Sequence, residues 1–91
     1  MTDKTSEILS ILQEECAEVI QAISKINRFG LDGVNPSTNV SNRDSLINEI
    51  GDTMAMIYCL VDVTKFITEE EIIKASDAKL NKLRTWSNIF K

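Results

Sequence analysis

Two short acidic motifs carry the strongest chemical signal in this sequence. The first, EECAE, spans residues 14–18, and the second, EIGD, spans residues 49–52. Residues three positions apart are neighbours on a helix, so two acids at this spacing can share one ion. Carboxylate oxygens suit Mg²⁺ or Mn²⁺ better than Zn²⁺. The chain has no histidine, which argues against a di-iron site of the Glu-x-x-His type.

The acids of both motifs fall beside apolar residues rather than on a polar helix face. On a helical wheel Glu15 lies about 20° from Ile8, and Glu18 lies about 60° further round. Glu49 and Asp52 fall between apolar residues of a second helix. Burying a carboxylate without a partner costs several kcal/mol, and acids that converge repel one another. A divalent cation removes both costs. Either motif alone is typical of a solvated acidic face, whereas the two together favour a metal site.

Three amphipathic helices are predicted to position these acids. Apolar residues recur at helical spacing, and the segment between the first two helices contains two of the three glycines and the only proline. The predicted elements are a helix over about 4–29, a loop over about 30–43, a helix over about 44–66 and a helix over about 68–89. Gly30 is predicted to end the first helix, and Thr68 with Glu71 to form a capping box. The fold class is therefore all-α, a bundle of amphipathic helices.

Length and composition narrow the classes of function. A chain of 91 residues predicts one domain, 1–91, which buries only about 60–65% of its unfolded surface. We therefore expect a homodimer or a homotetramer to complete the bundle. A net charge of −4 argues against a nucleic-acid partner, and no segment has the pattern of a membrane span or a signal peptide. Two cysteines within apolar helical patterns indicate a reducing compartment, so a cytoplasmic location is expected.

The two acidic motifs, in this order and spacing, resemble the MazG-like all-α nucleotide pyrophosphohydrolases. That family carries EExxE on one helix and ExxD on the next, and the lysine-rich third helix fits the family's basic C-terminal helix. The resemblance covers nearly the whole chain. It implies hydrolysis of a (d)NTP to monophosphate and pyrophosphate, and assembly into dimers or dimers of dimers. It also implies Mg²⁺, with Mn²⁺ as an alternative, held by Glu15, Glu18, Glu49 and Asp52.

The short single-domain form and the run EECAEVIQA…RFG look like the phage versions of this family. Some of those act on deoxypurine triphosphates, and a phage protein would work in the host cytoplasm. The charge of the triphosphate calls for cations, and the candidates are Lys25, Arg28, Lys79 and Lys82, although any of them could be an ordinary solvated charge. Glu14 or one of the ligands is expected to orient the attacking water, and the sequence does not choose between them.

Two other functions stay open on the sequence alone. A non-catalytic helical dimerisation or regulatory module would show a continuous apolar face and no reason for acids within it. The chain could also be a metal- or nucleotide-binding protein that has lost its activity. Only an activity assay distinguishes such a protein from the enzyme. The residues that contact the base or the sugar are not identified. Asn35 and Asn39 are candidates, but loop asparagines usually serve turns.

Overall fold

The computed structural model describes residues 1–91 and confirms the all-α class, with three helices and one small β-hairpin. The elements in chain order are α1 (Asp3–Phe29), β1 (Val34–Asn35), β2 (Val40–Ser41), α2 (Asn42–Thr64) and α3 (Glu69–Trp86). The hairpin lies within the segment that was predicted as an irregular loop, so that prediction missed it. Two-residue strands are too short to show the alternating apolar pattern by which strands are found in a sequence.

Local signals account for where the helices begin and end. Gly30 ends α1 as predicted, with φ at 84° and its N–H donated to the carbonyl of Ile26. This backbone conformation favours glycine. The capping box predicted before α3 is present, because Thr68 and Glu71 each accept from the other's backbone N–H. α2 begins two residues earlier than predicted, with the Ser41 side chain as its cap.

The hairpin joins α1 to α2 and sets the position of one helix relative to the other. Val34 pairs with Ser41 and Asn35 with Val40 in the antiparallel ladder. Asn42, the first residue of α2, is buried, and its side-chain Nδ2 donates to the carbonyl of Gly30 at 3.0 Å. The end of α1 is thus hydrogen-bonded to the start of α2, and the two helices run back along each other.

The protomer is a single layer of helices with very little interior. α1 and α2 pack against each other along their length, whereas α3 makes few contacts with either. The molecule measures 41 × 38 × 14 Å, and its thinnest dimension is close to the diameter of one helix with its side chains. Only Thr5, Ile8, Ala22, Asn42 and Leu60 are buried. No helix combines the length and the apolar character that crossing a membrane would require.

The face of α2 that packs on α1 is not the apolar stripe of that helix, which consists of Leu46, Ile50, Met54, Ile57 and Val61. Its least exposed positions include Asn42, Glu49, Met56 and Leu60, which follow one another at helical spacing. The apolar stripe lies to one side of this line, and its Met54 remains 65% exposed. Consequently the face of α2 that packs on α1 includes a carboxylate, and part of the apolar stripe lies on the surface.

Candidate metal centre

Three carboxylates from the two packed helices meet halfway along the protomer. α1 supplies Glu15, and α2 supplies Glu49 and Asp52. Each offers a carboxylate oxygen, and these oxygens all lie within 4.8 Å of one another. Glu49 and Asp52 are on adjacent turns of α2 because three residues make nearly one helical turn. Glu15 faces them because α1 and α2 run back along each other after the hairpin.

The cluster lies at the edge of the helix–helix contact. Glu15 and Glu49 are half-buried, and Asp52 is exposed. The pKa of Glu15 is raised above its ordinary value of 4.5, first because packing removes water from the carboxyl group. The negative charges of Asp52, Glu49, Glu18 and Glu14, in that order, raise it further. Each cause disfavours the ionised form of Glu15. Full ionisation of the cluster is therefore energetically unfavourable unless a cation is bound.

No basic side chain offsets this charge within the protomer. The only ion pair in the structure joins Arg43 to Asp44, in the first turn of α2. A set of converging carboxylates without a cationic partner is chemically suited to a divalent cation. Because every donor is a hard oxygen atom, Mg²⁺ and Mn²⁺ match the donors better than softer metals do. The residues present therefore fit a divalent metal ion.

Two of the predicted catalytic acids lie outside the group of three. Glu18 is one turn beyond Glu15 on α1 and is exposed, and Glu14 is exposed as well. Both still act on the cluster electrostatically, since their charges contribute to the raised pKa of Glu15. The structure thus brings together three of the four predicted ligands, and the ligand role of Glu18 stays a prediction.

The predicted phosphate-binding residues divide into two separated pairs. Lys25 and Arg28 line a recess of about 600 Å³ between the end of α1 and the hairpin. Lys79 and Lys82 are exposed on α3, and only the first turns of that helix line the groove beside α2. Within one protomer the structure does not pack these two lysines against the carboxylates.

The recess also contains residues that the sequence did not single out. Phe29, Pro36 and Asn42 line it, together with Asn35, the only one of these four that the sequence suggests as a nucleoside contact. A connection as long as the one between the first two helices is typical of either a functional or a disordered loop. Nothing in the sequence showed that the hairpin folds back on the last turn of α1, because that contact is a product of the tertiary structure.

Comparison with known proteins places the whole helical unit in one family. The family model for the MazG nucleotide pyrophosphohydrolase domain matches residues 3–86, a span that contains all three helices and both acidic motifs. The resemblance carried by those motifs is therefore confirmed. No curated protein and no solved structure matches the chain significantly.

Proposed function

Because this chain belongs to the MazG nucleotide pyrophosphohydrolase domain family, we propose that it hydrolyses nucleoside and deoxynucleoside triphosphates between the α- and β-phosphates. The products are the nucleoside monophosphate and pyrophosphate. The observation that supports this proposal most directly is the cluster of Glu15, Glu49 and Asp52. In it, carboxylates from two different helices converge without a cationic partner. The likeness to phage forms adds deoxypurine triphosphates as the favoured substrates.

In this proposal the carboxylates hold Mg²⁺, for which Mn²⁺ can substitute. Glu15, Glu49 and Asp52 are the core ligands, and Glu18 joins them from the next turn of α1. When bound, the metal offsets charge on the phosphate oxygens and lowers the pKa of an attacking water. Glu14 or one of the ligand carboxylates orients that water and takes its proton. The exposure of Glu14 leaves its carboxylate free to do so.

Basic side chains offset the charge of the triphosphate. Side chains on a helix lean towards its N-terminus, so Lys25 leans along α1 towards Glu18 and the cluster. Arg28 differs from Lys25, because its guanidinium carbon lies 4.8 Å from the centre of the Phe29 ring. We assign Arg28 a longer-range electrostatic effect on the phosphates. Lys79 and Lys82 are assigned to the distal phosphates.

A homodimer, or a homotetramer built from two dimers, completes this site. The apolar side chains Met54, Tyr58 and Trp86 are 65%, 69% and 84% exposed, which is a large apolar surface for so thin a protomer. Packing a second copy against it would add a second layer of helices. The same assembly would bring Lys79 and Lys82 of one copy to the carboxylate cluster of another, which the protomer alone does not do.

A panel of (d)NTPs with Mg²⁺, followed by phosphorus NMR, tests the proposed reaction. Pyrophosphate and the monophosphate should appear together as the first products, with deoxypurine triphosphates cleaved fastest. Orthophosphate and nucleoside diphosphate as first products would indicate a different enzyme. The exposed apolar surface gives some support to a second function, a non-catalytic helical dimerisation or regulatory module. Absence of cleavage for every (d)NTP would favour that function.

A further inference from the structure

The recess at the end of α1 has residues about two helical turns from the acidic motifs of both helices. Lys25 follows Glu18 by seven residues on α1, and Asn42 precedes Glu49 by seven residues on α2. Seven residues make nearly two full turns, so each pair lies on one line of its helix, roughly 10 Å apart. On α2, therefore, a residue that lines the recess and a carboxylate of the cluster lie on one line of the helix, about two turns apart.

We propose that this recess binds the nucleoside of the substrate, with Phe29 as the surface on which the base stacks. The inference rests on the proposed function, since the position of the nucleoside is defined relative to a phosphate held at the cluster. The spacing suits such a ligand, because a nucleoside begins at its 5′ oxygen and extends away from the α-phosphate. The volume of the recess, about 600 Å³, is within the range of small-molecule sites.

The walls of the recess have the chemistry that a base requires. Phe29 is 63% exposed, so its ring is open to contact by a ligand. Arg28 already lies against that ring, and an aromatic ring beside a guanidinium is a common stacking surface for bases. Val34 and Pro36 add apolar surface on the hairpin side. A wall of this kind suits a flat, weakly polar ring better than a charged phosphate.

Two side-chain amides in the recess are held in fixed orientations by the loop. Asn35 accepts a hydrogen bond from the backbone N–H of Ser37 at 2.8 Å through its Oδ1, which leaves its NH₂ group available. Asn42 donates from Nδ2 to the carbonyl of Gly30, which leaves its Oδ1 available. The recess thus has one fixed donor and one fixed acceptor, the pair of groups needed to recognise the edge of a base.

The other candidate for this recess is the distal end of the triphosphate. Its lining argues against that choice, because Arg28 is already stacked on Phe29 and Lys25 alone is left to face several phosphate charges. A phosphate-binding recess would also be expected to present backbone N–H groups. The hairpin N–H groups of Asn39 and Asn42 are instead hydrogen-bonded to the carbonyls of Asn35 and Gly33.

Replacing Phe29 tests the stacking surface. Phe29→Ala should raise the KM for dATP about tenfold or more, the effect of losing one stacked base. Inhibition by pyrophosphate, which has no nucleoside, should stay as in the unmodified protein. Phe66→Ala is the matched control, because Phe66 is 60% exposed and lies outside the recess. An unchanged KM for Phe29→Ala, or an equal loss of pyrophosphate inhibition, would overturn the proposal.

A binding experiment separates failure of this inference from failure of the proposed reaction. Backbone amide NMR shifts would be recorded with Mg²⁺ and either α,β-methylene-dATP or pyrophosphate. The analogue should shift amides of both 49–52 and 33–35, and pyrophosphate only those of 49–52. If the analogue shifts 49–52 alone, or pyrophosphate shifts 33–35 equally, the recess does not hold the nucleoside. If neither shifts 49–52, the proposed function fails and the inference fails with it.

A conservative variant tests base recognition without disturbing the turn. Asn35→Asp keeps the oxygen that accepts from Ser37 but replaces the NH₂ donor by a second acceptor. The ratio of kcat/KM between dATP and dGTP should change, since these purines present opposite groups at the 6-position. If the ratio of kcat/KM is unaltered for every pair of bases, Asn35 does not take part in base recognition.

Discussion

Removing one charge from the carboxylate cluster should stabilise the protein in the absence of metal and strongly reduce its activity in the presence of Mg²⁺. In Glu49→Gln the shape of the half-buried side chain is nearly kept, while its negative charge is lost. Without metal, the change relieves repulsion with Asp52 and with Glu15. With metal, the same change removes a ligand. The sign of the stability effect should therefore reverse when the divalent ion is added.

The size of the effect follows from the geometry of the cluster. Oxygens of Glu49 and Asp52 lie within 4.8 Å of each other, where two unit charges in a water-like medium repel by about 1 kcal/mol. Because Asp52 is exposed, solvent and salt reduce this value. A gain of up to about 1 kcal/mol raises the melting temperature of a domain this size by up to about 4–8 °C. Relief of the repulsion with Glu15 acts in the same direction.

Thermal unfolding followed by circular dichroism, in EDTA and in millimolar Mg²⁺, provides the assay. Asp77→Asn is the control, since it changes the net charge equally in the middle of α3, away from the cluster. In Mg²⁺ the unmodified protein should gain more stability than Glu49→Gln does, and the variant should lose more than about 100-fold in kcat/KM. If Glu49→Gln melts at or below the unmodified protein in EDTA, the acids do not repel as inferred. Near-normal turnover would exclude Glu49 as a ligand.

Three further outcomes are expected. The pKa of Glu15 is raised in the folded protein, so its protonated form is favoured by folding. The stability that this carboxyl group contributes is fully present below its ordinary pKa of 4.5. That stability is lost as the pH rises through the raised pKa. Metal-free Glu15→Gln should therefore lose less stability than the unmodified protein as pH rises through that range. The free energy of unfolding, measured by chemical denaturation at each pH, tests this, and parallel pH profiles for the two proteins would contradict the assignment. Lys79→Ala should raise the KM for (d)NTPs with little change in kcat, whereas Lys74→Ala, on the same helix, should change neither; a fall in kcat alone would place Lys79 elsewhere in the mechanism. Light scattering at micromolar concentration should give at least twice the protomer mass of 10.2 kDa, and a monomer would remove the oligomer from the proposal.

The sequence by itself determined the class of the fold and the kind of chemistry. Helical periodicity and local capping signals are short-range properties, so three helices, the Gly30 stop and the Thr68–Glu71 capping box could be read directly. The two acidic motifs are also local, because i,i+3 spacing on a helix brings their side chains to adjacent turns. Together they were sufficient to indicate a divalent-metal site and the family that the comparison then confirmed.

The sequence could not determine how the two motifs meet. Whether Glu15 or Glu18 faces α2 depends on how α1 is rotated against its partner, and a wheel places both near the apolar edge. The packing of Ala22 and Leu60 into the interface sets that rotation. It brings Glu15 to Glu49 and Asp52 and leaves Glu18 exposed, one turn along.

Tertiary structure alone determined the hairpin and the recess at the end of α1. The hairpin is too short to leave a periodic signature, and its position depends on the hydrogen bond from Asn42 to Gly30, which joins residues twelve positions apart. That bond joins the start of α2 to the end of α1, where the recess lies beside Phe29. Composition and spacing encode the secondary structure and the metal chemistry, whereas contacts between distant residues create the recess proposed to hold the nucleoside.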